Sequence, residues 1–213
     1  MNLPQSRTMS SNEGVSAKSQ VILASQSPQR KILLEQVGYV VNCRPVDIEE
    51  TPLTSELPKD LVVRLALSKV GRCFELREAW SELEQVGIRA IIGADTTIDL
   101  DNTSLGKPAG ESDAMDMLRR LAGREHLVHT GVCVIDVLTG GARTQLVTTV
   151  VRFGPISMAQ AKRYWDSGEP IGKAGAYGIQ GLGAQFVAHL SGSYSNVVGL
   201  PLYETLQLVE KVT

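Results

Sequence analysis

Apolar and polar positions along the chain change their period several times, and each change predicts an element. The run QVILAS, residues 20–25, is apolar and then turns small and polar, which predicts a short buried strand. SPQRKILLEQVG, residues 27–38, predicts a helix: Ser27 stands at the N-cap position, Pro28 at the first helical position and Gly38 just past the end. From Leu57 to Gly87 the pattern predicts a long helical region, open to a break along its length. Val62, Leu65, Ala66, Val70 and Cys73 form its apolar stripe, and Lys69 falls inside that stripe. The ammonium either snorkels to water along the apolar surface or points into a charged cleft.

RAIIGADTTIDL, residues 89–100, predicts the next strand, in which the apolar Ile91, Ile92 and Ala94 are followed by Asp95. A carboxylate there is unfavourable unless it is paired or functional, or caps a turn. TSLGKP, residues 103–108, predicts a turn that carries Lys107. SDAMDMLRRLAG, residues 112–123, predicts a helix capped by Ser112 and ended by Gly123. HLVHTGVCVIDVLTG and ARTQLVTTVVRF predict two strands joined by a TGGA turn, hence an antiparallel hairpin. SMAQAKRYWDSG predicts a helix with a capping box of Ser157 and Gln160, ended by Gly168. AQFVAHL predicts a strand, and GLPLYETLQLVEKV a last helix with Pro201 near its start. Strands that alternate with helices, with a hairpin among them, predict an α/β domain of mixed α+β character: a mixed, twisted sheet flanked by helices.

Composition narrows the class. A chain of 213 residues with 43% hydrophobic and 21% charged residues suits one compact domain. Residues 1–19 are rich in Ser, Asn and Gln and lack an apolar signal core, so a disordered tail is expected there. The domain is expected over residues 20–213, open to a division into two lobes. A net charge of −2 gives no basic footprint for nucleic acid, and no apolar run reaches membrane-spanning length. Cys43, Cys73 and Cys133 have no metal-ligand spacing and read as buried, reduced thiols of a cytoplasmic protein. His126, His129 and His189 form no zinc pattern.

The candidate chemistry lies in four connecting loops: SQSPQR, GADTT, LGKP and GKAGAYGIQG. The last resembles a phosphate-binding P-loop, but only three residues separate Gly168 from Gly172, and Ala174 stands where that motif needs a hydroxyl. Its glycines are either turn residues or a surface that lets backbone groups approach a flat ligand. Arg30 at a helix start, Lys107, Lys173 and Lys69 are cations suited to a chain of phosphates. Asp95 and the carboxylates of DIEE (Asp47, Glu49 and Glu50) suit a hard divalent ion, and Asp95 alternatively orients or deprotonates a water. Gln180 is suited to the edge of a base. A serine hydrolase built on Ser25 or Ser27 lacks the G-x-S-x-G turn and a His partner.

Taken together, LASQSPQRKILLEQVG, DIEE, VVRLALSKV, IIGADTTI, LGKP, LRRLAGREHLVHTGV, GEPIGKAGAYGIQGLGAQFV and GSYSNVVGLPLYET resemble the Maf-like nucleotide pyrophosphatases over about residues 20 to 208. The resemblance implies a Maf/ITPase-like fold with a deep substrate cleft, often as a homodimer. It implies hydrolysis of nucleoside triphosphates to monophosphate and pyrophosphate with a divalent cation, Mg or Mn. Carried onto this sequence, Asp95 is the catalytic residue. Ser25, Ser27, Arg30, Lys69, Lys107 and Lys173 bind substrate, and Asp95 and Glu50 hold the metal. Gln29, Thr96 and Gln180 set specificity. GADT and KAGAYGIQG are similar to the branch acting on dTTP and UTP; the branch acting on 7-methyl-GTP tends to carry GSDQ and CAGSFKSEGLG instead. One position departs: the dTTP/UTP branch usually reads S-P-R-R, and here Gln29 replaces the first arginine. The resemblance also implies a role in limiting incorporation of modified nucleotides and a link to cell-division arrest. Two alternatives stay open: a 7-methyl-GTP or other modified-nucleotide pyrophosphatase, and a nucleotide-binding regulator of septum formation without turnover.

Overall fold

The computed structural model describes residues 19–79 and 88–212. The tail expected over residues 1–19, apart from Ser19, and the far end of the long helical region lie outside the described residues.

The elements run β1 (Gln20–Leu23), α1 (Pro28–Gln36), β2 (Val40–Cys43), α2 (Pro58–Glu75), a 3-10 turn (Leu76–Ala79), β3 (Ala90–Leu100), β4 (Thr103–Leu105) and α3 (Glu111–Leu121). There follow β5 (Glu125–Asp136), β6 (Ala142–Phe153), α4 (Met158–Asp166), 3-10 turns at Ala174–Ala176 and Leu182–Phe186, β7 (Val187–Ser191), α5 (Tyr194–Val198) and α6 (Leu202–Val212). The fold is therefore mixed α/β, as the alternation predicts. Seven strands form one sheet in the order β2-β1-β3-β5-β6-β7, with β4 beside β3. β1 is parallel to β2 and β3; the other pairs are antiparallel.

The local signals act where the sequence puts them. The Ser27 hydroxyl accepts the Arg30 N–H and starts α1, and Gly38 ends the following turn at φ 93°. Ser157 and Gln160 close a reciprocal capping box on α4. Other positions differ. Gly110, not Ser112, is the N-cap of α3, and the Asp113 carboxylate accepts the Ala109 N–H across that start. Residues 103–105 are a strand rather than a turn, because β3 is long enough to pair with them. Cys73 and Cys133 are buried free thiols, but Cys43 is exposed at the end of edge strand β2. The strand over Val40–Cys43 and the five-residue α5 carry too short a periodic signal to stand out in the sequence.

Alternation along the strands sorts the core onto two faces. One face packs Ile22, Ile91, Cys133 and Ile135 against Ala66, Val70 and Cys73 of α2. The other packs Leu23, Ile92 and Ala94 against Leu33 and Leu34 of α1 and Leu208 and Val209 of α6. Farther along that second face, Ile98, Leu100, Val128 and Phe153 pack against α3 and α4.

Two glycines decide how close α2 lies to the sheet. A Cβ on Gly131 would overlap the backbone of Val62, and one on Gly93 would overlap the Val70 side chain. With neither Cβ present, the helix rests on the strand backbone. The register pairs Gly131 with Asp95, so the same close approach sets the distance between α2 and Asp95.

Candidate active site

β3 has a notch in one edge. β1 pairs with it only as far as Ile92, and β4 joins it at Ile98. Asp95 sits within that gap, in the middle of β3 rather than at a strand end. A cleft of about 1130 Å³ opens over the notch. Its lining includes the Ala24–Arg30 turn, residues 45–48 and Glu50, Lys69 of α2, Asp95–Ile98, Gly106–Lys107, and residues 172–174 and 177–181.

The first wall is ionic and is carried by α2 and β3. Lys69 Nζ lies 2.6 Å from Asp95 Oδ1 and 2.8 Å from Glu50 Oε1. Lys69 therefore points into the cleft rather than snorkelling away. The Lys69 and Asp95 side chains are 12% and 15% exposed, whereas that of Glu50 is 54% exposed, so solvent reaches the pair from the Glu50 side. Burial pushes the Glu50 carboxyl up. The Lys69 hydrogen bond and the charges of Lys69, Lys107 and Arg30 outweigh this and hold it below the usual carboxylate range.

Arg30 is braced by its surroundings. Its Nε donates to the Gly199 carbonyl at 2.7 Å, Nη1 to Ser25 Oγ at 3.2 Å and Nη2 to Thr96 Oγ1 at 3.1 Å. Burial lowers its pKa from the ordinary arginine value, against the pull of Asp95 and Glu50. Thr96 continues the chain of hydroxyls to Thr130 at 2.9 Å, and Thr130 donates to the Asn196 carbonyl at 3.2 Å. Asn196 is wholly buried, and its amide donates to the Val128 carbonyl and to Thr149 Oγ1. The short α5 thus fixes the guanidinium through β5 and β3, from the face of the sheet on which α1 also packs.

The second wall is the glycine-rich segment after α4. Lys173 Nζ donates to the Glu169 backbone carbonyl at 2.6 Å, which draws its stem across Gly178. Tyr177 is buried beneath the segment, and its hydroxyl lies 2.8 Å from His126 Nε2. Burial lowers the His126 pKa to about 4 and raises that of Tyr177, so both are neutral near pH 7. Gln180 is exposed on the cleft side of this wall.

Lys107, on the turn after β4, is exposed and lines the same cleft. The residues that the sequence singles out thus gather at one place. Ser25, Ser27, Gln29, Arg30, Glu50, Lys69, Asp95, Thr96, Lys107, Lys173 and Gln180 all line it. Of the remaining DIEE carboxylates, Asp47 lines the cleft, whereas Glu49 accepts the Thr51 N–H in its own turn.

The sequence pattern of the Maf family, described as Maf-like protein, matches residues 20–212. The chain belongs to the Maf family. Curated Maf relatives extend over nearly the whole domain. The dTTP/UTP pyrophosphatase of Pseudoalteromonas translucida is 46% identical over 190 residues, 89% of this chain and 95% of its own. The dTTP/UTP pyrophosphatase of Colwellia psychrerythraea is 42% identical over 194 residues, covering 91% and 89%. That of Nitrosomonas europaea is 43% identical over 201 residues, covering 90% and 93%. A solved structure, protein VC0702 from Vibrio cholerae, aligns with a TM-score of 0.36 and 10% identity over 71% of this chain and 78% of its own; an overlap that low says nothing of the fold.

The donor set of this Maf chain fits a hard divalent cation. Asp95 and Glu50 converge on one ammonium, so two carboxylates lie side by side with the second oxygen of each not taken by Lys69. Two carboxylates, with water and phosphate oxygens completing the shell, suit magnesium. No group of three His, Cys, Asp or Glu side chains able to hold a metal occurs among the described residues, so the protein ligands would be those two.

Several site-building residues carry no clear signal in the sequence: Thr130, Asn196, Tyr164 and Glu169. The first three are buried residues whose polar atoms find partners far along the chain. Glu169 left a faint signal, as an acid beside an almost chargeless glycine segment.

Proposed function

We propose that this chain hydrolyses dTTP and UTP to the nucleoside monophosphate and pyrophosphate. The observation that carries this reading is the Lys69-bridged Asp95–Glu50 pair in a cleft also lined by Arg30, Lys107 and Lys173. Such an arrangement suits a substrate with a reacting phosphoryl group and several negative charges. The names of the relatives give the bases.

In this proposal Asp95 is the catalytic residue. Its carboxylate accepts a proton from the attacking water. Lys69 orients the Asp95 carboxylate from the α2 side. Asp95 and Glu50 would hold a divalent cation, which would supply charge neutralisation to the phosphates when bound. Lys107 and Lys173 neutralise the leaving pyrophosphate. Arg30, Ser25 and Ser27 form the phosphate-facing turn at the start of α1. Gln180 meets the Watson–Crick edge of the base. Thr96 acts on selectivity through Arg30, because its hydroxyl is already shared among Arg30, Thr130 and the Gly199 carbonyl.

Residues 20–213 act as one domain in this reading. Cytoplasmic location, which rests on the reduced thiols, and pairing as a homodimer, which rests on the resemblance, belong to the same proposal. The described residues contain no helix long and apolar enough to cross a membrane.

A panel of dTTP, UTP, CTP and 7-methyl-GTP tests the substrate class, each assayed for pyrophosphate release with and without Mg or Mn. Preference for dTTP and UTP with metal is expected. Preference for 7-methyl-GTP would replace the pyrimidine reading, and binding without any turnover would favour the regulator.

A further inference from the structure

Gln180 is exposed beside Ile179, which anchors this segment in the core, yet a selective base contact needs the backbone on both sides of the amide fixed. The stretch from Gly178 to Gly183 forms no regular strand or α-helix. Its backbone is held by two side chains from outside it. Tyr164, on the buried face of α4, accepts the Gly178 N–H at 3.1 Å and donates to Glu169 Oε1 at 2.7 Å. The Glu169 carboxylate accepts the Leu182 N–H on Oε2 at 2.6 Å and the Gly183 N–H on Oε1 at 2.9 Å. Gln180 lies between these tie points, two residues from Gly178 on one side and from Leu182 on the other.

We infer that Tyr164 and Glu169 form a clasp that fixes Gln180 for base selection, and are positioning residues for the proposed pyrimidine specificity. The inference rests on the reading that Gln180 contacts the base.

The local packing is cut to admit these contacts. A Cβ at Gly181 would overlap the Glu169 carboxylate, and one at Gly183 would press on the Tyr164 hydroxyl and the Gly178 carbonyl at 2.6 Å. The glycines therefore make room for the clasp. Tyr164 is 2% exposed, and its ring meets Phe186 edge-on at 5.2 Å, so the hydroxyl is delivered by a rigid core residue. Burial, then the bond to Glu169, raises the tyrosine pKa and keeps the hydroxyl a donor. Burial pushes the Glu169 carboxyl up, but the three donors and Lys173 outweigh it and hold the carboxyl below its usual range, so it stays an acceptor. The same residue reaches the phosphate side as well. Its backbone carbonyl holds Lys173 Nζ. One residue thus ties the base-facing segment through its carboxylate and the phosphate-facing lysine through its backbone carbonyl.

The test compares Tyr164→Phe, Glu169→Gln and Gln180→Ala with wild type. Tyr164→Phe removes one oxygen and keeps the ring against Phe186, so it serves if the Glu169 variant does not fold. Two quantities are read: amide hydrogen exchange at residues 178–183, and the ratio of kcat/KM for UTP to that for CTP, which share sugar and phosphates. Both clasp variants are expected to speed exchange in this segment and to lower the UTP:CTP ratio by about tenfold, toward that of Gln180→Ala. The change should appear mainly in KM for UTP. If Gln180→Ala lowers the ratio and neither clasp variant does, the clasp is overturned while the Gln180 reading stands. If Gln180→Ala itself leaves the ratio unchanged, the Gln180 reading fails first and the clasp's role in selection falls with it. A lowered ratio without faster exchange would also overturn the clasp.

Discussion

The two walls of the cleft are built by different means. The Lys69–Asp95–Glu50 wall stands on α2 and β3, and two of its three charges come from the interiors of regular elements packed through Gly93 and Gly131. The glycine wall, from Gly172 to Gly183, has only brief 3-10 turns and is tied by side-chain oxygens to backbone N–H groups. Regular elements hold charges to a fixed geometry, which suits chemistry that is the same for every triphosphate. A loop tied at a few points is easier to vary, which suits choice of base. The difference predicts that changes on the first wall act on turnover whatever the base, and changes on the second act on discrimination.

The largest effect should come from Asp95→Asn, which keeps size and removes the charge that accepts a proton. Turnover should fall by about 100-fold or more on both UTP and CTP, with the melting temperature little changed. Near-normal turnover in the folded variant would remove Asp95 from the chemistry and erase the contrast between walls.

Next come two further cations of the cleft, the exposed Lys107 and the half-buried Lys173. Lys107→Ala and Lys173→Ala should each weaken kcat/KM by about tenfold to a hundredfold, the loss of about 1.5–3 kcal/mol for a hydrogen bond to a charged group. Lys173→Ala should also lower the UTP:CTP ratio, because its ammonium is part of the glycine wall, while Lys107→Ala should leave the ratio alone. Steady-state kinetics at low and high salt checks both, since screening should narrow the gap from wild type for Lys107.

Gly131→Ala probes the rigidity of the first wall. The new methyl must push α2 from the sheet, at a stability loss of about 1–3 kcal/mol measured by urea unfolding. Because Gly131 is the register partner of Asp95, turnover should fall with it while base preference holds.

The smallest effect concerns Gln29, at the phosphate-facing turn. Gln29→Arg adds a forked cation and should raise the UTP:7-methyl-GTP ratio of kcat/KM by about tenfold, equivalent to about 1.4 kcal/mol. An unchanged ratio would leave discrimination to Gln180 and the glycine wall; a ratio moving toward 7-methyl-GTP would favour the modified-purine reading.

The first wall was legible in the sequence for a physical reason. Lys69 breaks an apolar helical stripe and Asp95 breaks an apolar strand, and a charge in a buried pattern needs a partner. Their pairing across 26 residues followed only once α2 was laid on β3. The helix starts at Ser27 and Ser157 were legible because an N-cap is a local interaction. The clasp of Tyr164 and Glu169 was not, because it joins side chains to backbone amides of a segment with no periodicity, 14 residues away in the case of Gly178 and Gly183. The route from Arg30 through Thr96 and Thr130 to Asn196 was hidden in the same way, since it joins four separate elements. The notch in β3 was also out of reach, because it depends on where β1 stops pairing rather than on β3 itself.

Product identity with UTP tests the central claim most directly. Phosphorus NMR of a completed reaction with magnesium should show UMP and pyrophosphate in equal amounts, and the same reaction with Asp95→Asn should show UTP largely intact over that time. UDP and orthophosphate as the main products would contradict cleavage between the α- and β-phosphates.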